Sequence, residues 1–164
     1  MNQSNEWHGL NPVTKRLIEN YQTDFPIMLG RLASDLGLIV KRATLPANIS
    51  GEIKEIGNDI IIRINRHDAK TRQRYTLAHE IAHFLLHRHL LKTGISDDVL
   101  YRSAQSNEVE AEANRLAADI LMPMSKVEFL MKRHASLKGE ILYQTLADEL
   151  DVSTTALKIR LNKM

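Results

Sequence analysis

His79-Glu80-Ile81-Ala82-His83 lies within the stretch LAHEIAHFLL, residues 77–86, in which every other side chain is apolar. Such a run predicts a helix buried nearly all round. Histidines four apart on a helix share a face, with Cβ atoms roughly 5–6 Å apart. Both rings can therefore converge on one ion at about 2.0–2.1 Å. Glu80 stands one step round, toward the space beside such an ion. Unpaired buried charge is very costly, so these three residues require partners. The spacing is the H-E-x-x-H pattern of zinc hydrolases, where the carboxylate works as a general base. On the pentapeptide alone, a core helix with hydrogen-bonded polar residues remains the alternative.

A catalytic zinc usually takes three protein ligands, and two candidates compete for the third place. His89 follows His79 by ten residues, the spacing of a longer pattern that breaks the helix with glycine three residues after the second histidine. Here that position is Leu86, a strong helix former. In a continuing helix His89 lies about 240° round from His83 and faces solvent. The second candidate is in EVEAEANRLAADILM, residues 108–122. A helical wheel places Glu108, Glu112, Arg115 and Asp119 on one stripe, expected to be solvated. Glu110 falls on the opposite stripe with Ala113, Asn114, Ala117 and Leu121. Glu110 is therefore the expected third ligand. Asn114, one turn later, is placed to hold a ligand histidine by its other nitrogen. His87 lies one turn beyond His83, about 12 Å from His79 in a straight helix. It is expected to close the edge of the site or to bond locally. His8, His67, His134, Tyr75 and Tyr101 are open candidates for steadying an oxyanion, with Tyr101 an accessory candidate.

The 164 residues carry a formal net charge of +2 and no cysteine. Any metal must then be held by imidazole and carboxylate, a donor set for Zn2+ that also suits Mn2+ or Fe2+. No signal pattern and no run of 18 apolar residues is present, so a cytoplasmic protein without a membrane partner is expected.

Residues 1–23 read as an N-terminal arm, the first dozen residues, and a short helix over Thr14–Tyr21. A helix over Pro26–Leu36 ends at Gly37. A strand over Leu38–Arg42 precedes a hairpin, Gly51–Ile56 and Ile60–Asn65, turned at Gly57-Asn58-Asp59. Ile60, Ile62 and Ile64 share one face; Ile61, Arg63 and Asn65 share the other. The motif helix is expected over Ala69–His89. A loop through Thr93, Gly94 and Ser96–Asp98 leads to the helix Asn107–Met122, stopped by Pro123. Three helices follow: Ser125–His134, Lys138–Leu150 and Ser153–Asn162. Early strands and late helices argue α+β, a small three-stranded sheet packed on the motif helix. The expected partition is residues 24–123 as the core and 124–164 as a C-terminal, helix-turn-helix-like subdomain.

With these residues in hand, the chain resembles the ImmA/IrrE family of metallopeptidases from about Ile27 onward. The likeness rests on RQRYTLAHEIAHFLLH (72–87), EAEANRLAADILMP (110–123) and LADELDVS (146–153). Tyr75 and Leu116 stand where phenylalanine is common in that family. The resemblance implies a zincin-like, gluzincin-type fold with His79, His83 and Glu110 as zinc ligands and Glu80 as the catalytic carboxylate. It also implies cleavage of an Xre-type helix-turn-helix repressor, releasing genes of mobile elements or the stress response.

Two other readings stay open. The tail from Gln144 to Leu161 has helix-turn-helix punctuation, with Asp151 where glycine is often found, which would suit a DNA-binding regulator with a non-catalytic metal site. Charge argues against direct DNA binding: from Pro123 onward seven Lys and Arg face five acids, whereas DNA readers concentrate a basic face. The remaining reading is a partner that binds a repressor without cutting it.

Overall fold

The computed structural model describes residues 3–98 and 107–163. Alternating isoleucines organise its sheet. Ile60, Ile62 and Ile64 are the buried face of strand β3 (Asp59–Asn65). β3 pairs antiparallel with β2 (Ile49–Ile56) across a turn at Gly57, whose φ of +63° is free of the steric penalty a Cβ would bring. On its other edge β3 pairs in parallel with β1 (Leu38–Ala43). Strand β4 (Ile95–Asp98) adds antiparallel to β2, giving the order β1-β3-β2-β4.

The fold is thus α+β with a mixed sheet of four strands among the described residues, one more than the sequence suggests. Ser96–Asp98 reads as a loop because serine and aspartate favour turns over strands. Backbone pairing to β2 and the burial of Ile95 hold it in the sheet instead. Asn65, at the end of β3, is buried, and its amide donates to the carbonyls of Leu45, Pro46 and Ile49.

Eight α-helices are present among the described residues. α1 (Asn5–His8), α2 (Pro12–Tyr21) and α3 (Leu29–Asp35) precede the sheet. α4 (Lys70–Leu86) crosses β2 and β3 and packs against α5 (Asn107–Leu121). α4 stops three residues short of His89, because His87 leaves helical conformation (φ −126°, ψ 38°) and a 3-10 turn, Arg88–Leu90, follows. α6 (Met124–Arg133), α7 (Gly139–Leu150) and α8 (Thr154–Arg160) complete the chain. One continuous apolar cluster runs from Trp7 to Leu161 through all of these layers. No helix among the described residues is long and apolar enough to cross a membrane.

The first dozen residues do not extend as an arm. Ser4 caps α1, Trp7 is buried, and Glu6 pairs with Arg115 at 2.6 Å. Asp119 explains the docking and corrects the wheel, because it is fully buried. Its Oδ2 accepts from Ser4 N (3.0 Å) and Oγ (2.5 Å), and its Oδ1 accepts from Arg160 Nη2 (2.6 Å). α5 is covered on this stripe too, by α1 and α8, which a wheel drawn for one neighbour does not anticipate.

Asp151, between α7 and α8, has φ 54° and ψ 48°. Aspartate tolerates this left-handed region better than most residues, and α4 holds it there. Arg74 Nε donates to its carbonyl at 3.2 Å and pairs with its carboxylate at 3.3 Å, while Lys70 Nζ stands 3.1 Å from the same carboxylate.

Gly51 sets the separation of sheet and motif helix. A Cβ there would lie 2.4 Å from Thr76 Cγ2 and 3.2 Å from the carbonyl of Arg63. Gly51→Ala is expected to destabilise by about 1–3 kcal/mol, the usual range for overpacking. Urea unfolding at unchanged slope measures it. Pairing the change with Thr76→Ser, which removes the clashing methyl, should recover part of the loss. Wild-type stability in Gly51→Ala would contradict the close approach.

Candidate metal centre

α4 brings His79, Glu80 and His83 into the interior, and all three are buried. α5 supplies Glu110 from its first turn, also buried. One ligand atom each from His79, His83 and Glu110 lie within 4.8 Å of one another. Nε2 of His79 is 3.0 Å from Nε2 of His83 and 3.0 Å from Oε2 of Glu110. The other carboxylate oxygen, Oε1, is buried without a hydrogen bond and stands 3.4 Å from His83 Nε2.

The proton on His79 decides what these contacts mean. Its Nδ1 lies 2.8 Å from Oδ1 of Asn114. An amide oxygen only accepts, so Nδ1 carries the hydrogen and a neutral ring leaves a lone pair on Nε2. That lone pair faces a second imidazole nitrogen and a carboxylate. With both rings neutral and their Nε2 atoms bare, three electron-rich atoms gathered in a buried space form a donor set for a cation. Protons can serve only in part: burial pushes the His83 pKa down, and the neighbouring Glu110 offsets this incompletely. For Glu110 burial acts upward, but hydrogen bonds and charge from the His79 and His83 rings, when those carry the proton, outweigh it and hold the carboxyl well below its ordinary range. Two neutral imidazoles and one ionised carboxylate are donors that fit Zn2+, Mn2+ or Fe2+.

The remaining sequence candidates separate clearly. Asn114 is at His79, as described. His87 is buried, with Nδ1 2.9 Å from His83 Nδ1 and Nε2 2.9 Å from Glu112 Oε2. It bonds locally and makes no part of the three-residue group. His89 and His8 are exposed; His67 meets Thr44 and His134 meets Glu149. Tyr75 Oη lies 3.4 Å from the Asn114 carbonyl. Tyr101 lies outside the described residues. Sequence reasoning missed Glu112, which the wheel placed on the solvated stripe. The available signal was His87, a histidine on the motif face that needs an acceptor of its own.

The chain is an α+β domain whose two packed helices bring together a buried His-His-Glu group that could hold a metal ion. A family model described as the IrrE N-terminal-like domain, peptidase family M78, matches residues 38–162. The chain belongs to this metal-dependent peptidase family. No curated protein matches it. A solved Mycobacterium tuberculosis structure described as a transcriptional regulator is similar in fold, with a TM-score of 0.60 at 14% identity. The match covers 94% of this chain and 48% of that one, so the chain spans about half its length.

Zn2+ added to chelator-treated protein at about 100 times its Kd is expected to stabilise the fold by about 2.7 kcal/mol. Thermal unfolding reads this directly, and Glu110→Gln or His83→Ala should abolish it. Protons compete for the same nitrogens, so the effect should weaken below the ordinary histidine value of 6.5. Equal stabilisation of Glu110→Gln would place the ion elsewhere.

Proposed function

We propose that this chain is a zinc-dependent endopeptidase that cleaves an Xre-type helix-turn-helix repressor and so relieves repression. The observation that carries the peptidase reading is the buried convergence of His79, His83 and Glu110, with a further buried carboxylate, Glu80, next to His79 on the same helix. His79, His83 and Glu110 would hold the ion. The chemistry zinc supplies when bound is acidification of water to a pKa near about 7 and polarisation of a carbonyl.

Glu80 then accepts a proton from the attacking water and returns it to the leaving amine. Asn114 keeps the His79 ring turned with Nε2 inward. Around them the apolar faces of α4 and α5 exclude bulk solvent, which strengthens each of these charges. An extended peptide can align by backbone pairing only on a free sheet edge. β3 is flanked on both sides, so the segment Ile60–Asn65 is unsuited to that task. Among the described residues the outer strands of the sheet are β1 and β4.

Residues 124–164 would serve as the subdomain that recognises the repressor. A DNA-binding role finds less support in their charges. Arg160 is turned inward to Asp119, and Lys158 pairs with Glu140 at 2.6 Å. Two of the basic side chains on α8 are thereby engaged within the fold, where a phosphate backbone would need them exposed.

The test is incubation of the zinc-loaded chain with an Xre-type repressor encoded beside its gene, followed by mass spectrometry. Wild type should yield two fragments. Glu80→Gln should keep its metal and lose at least about 100-fold in rate, the usual range for a general base. An intact repressor in a stable complex would favour a binding role without cleavage. A fully active Glu80→Gln would remove Glu80 from the mechanism.

A further inference from the structure

The side chains of His87 and Glu112 are not part of the three-residue group, yet they form a continuous chain into it. Glu112 Oε2 lies 2.9 Å from His87 Nε2, and His87 Nδ1 lies 2.9 Å from His83 Nδ1. His83 and His87 are both buried, and the Glu112 side chain is 29% exposed. A carboxylate accepts hydrogen bonds and has no proton to donate. His87 Nε2 must therefore carry the hydrogen in this contact. In a neutral His87 ring, Nδ1 is then an acceptor. The hydrogen between the two Nδ1 atoms consequently belongs to His83, and its Nε2 is left bare, pointing at His79 and Glu110.

We infer that Glu112 and His87 are positioning residues that fix the tautomer and ring orientation of His83 for metal binding. They mirror from one side what Asn114 does for His79 from the other. The inference rests on the metal-binding reading above. Neither residue touches the ion in this arrangement. Glu112 sets the direction of two hydrogen bonds in series, and the break in α4 at His87 gives that ring the freedom to meet both neighbours.

Two measurements on the full chain test this. Zn2+ affinity by chelator competition should fall about 10–100-fold in Glu112→Leu and in His87→Phe, the range for losing a residue that orients a ligand. Glu112→Gln retains an acceptor oxygen and should stay within a few-fold of wild type. Glu108→Gln, an exposed change on the same helix, controls for lost negative charge. Independently, long-range 1H–15N correlation of 15N-histidine protein without metal should place the His83 hydrogen on Nδ1 in wild type and Glu112→Gln. Glu112→Leu should show it redistributed to Nε2.

Wild-type affinity in both Glu112→Leu and His87→Phe would overturn the inference. Glu112→Gln falling as far as Glu112→Leu would do so too, by making charge the cause. A His83 hydrogen on Nε2 in wild type would break the relay at its source. If wild type binds no Zn2+, the metal reading fails, and the nitrogen spectra still decide the hydrogen-bond chain.

Discussion

Nε2 of His79, Nε2 of His83 and a carboxylate oxygen of Glu110 are held within 4.8 Å of one another, all three side chains buried between α4 and α5. In a neutral His79 ring the hydrogen sits on Nδ1 against Asn114, so its Nε2 is no donor to the other two. In water such a cluster would spread apart. Here the packing of α4 against α5 holds the three together as a donor set that could take a cation. A metal bound there would link its binding free energy to the packing of α4 on α5.

The rest of the molecule limits how far those helices can move. From below, Gly51 lets β2 approach α4 without a side chain between them. From behind, the buried Asp119 ties α5 to Ser4 near one end of the chain and to Arg160 near the other. Arg74, five residues before His79, reaches both the carbonyl of Ile27 and that of Asp151. Burial holds the Arg74 pKa below its ordinary value, offset in part by Asp151, so the guanidinium is a structural strut. These ties lie outside the centre and fix its geometry, which is why residues far apart in sequence bear on the same few atoms.

Much of this was legible from local chemistry. The histidine spacing required one helix face, and the isoleucine alternation required a half-buried strand. A wheel put Glu110 and Asn114 on the buried stripe of α5, and both meet His79 there. The misreadings share a cause. Asp119 and Glu112 are polar residues that a helical wheel sends to solvent, and each meets an element far away in sequence. β4 is too short and too polar to show alternation; its strand character comes from β2. Tertiary cover of polar groups leaves no local signature, whereas metal-ligand spacing does.

X-ray absorption at the zinc edge of the loaded 164-residue chain tests the central claim most directly. The expected spectrum has two imidazole nitrogens and carboxylate or water oxygen in the first coordination sphere, at about 2.0–2.1 Å. In Glu110→Gln the carboxylate contribution should disappear. A sphere with one imidazole or none, or one unchanged by Glu110→Gln, would contradict the account.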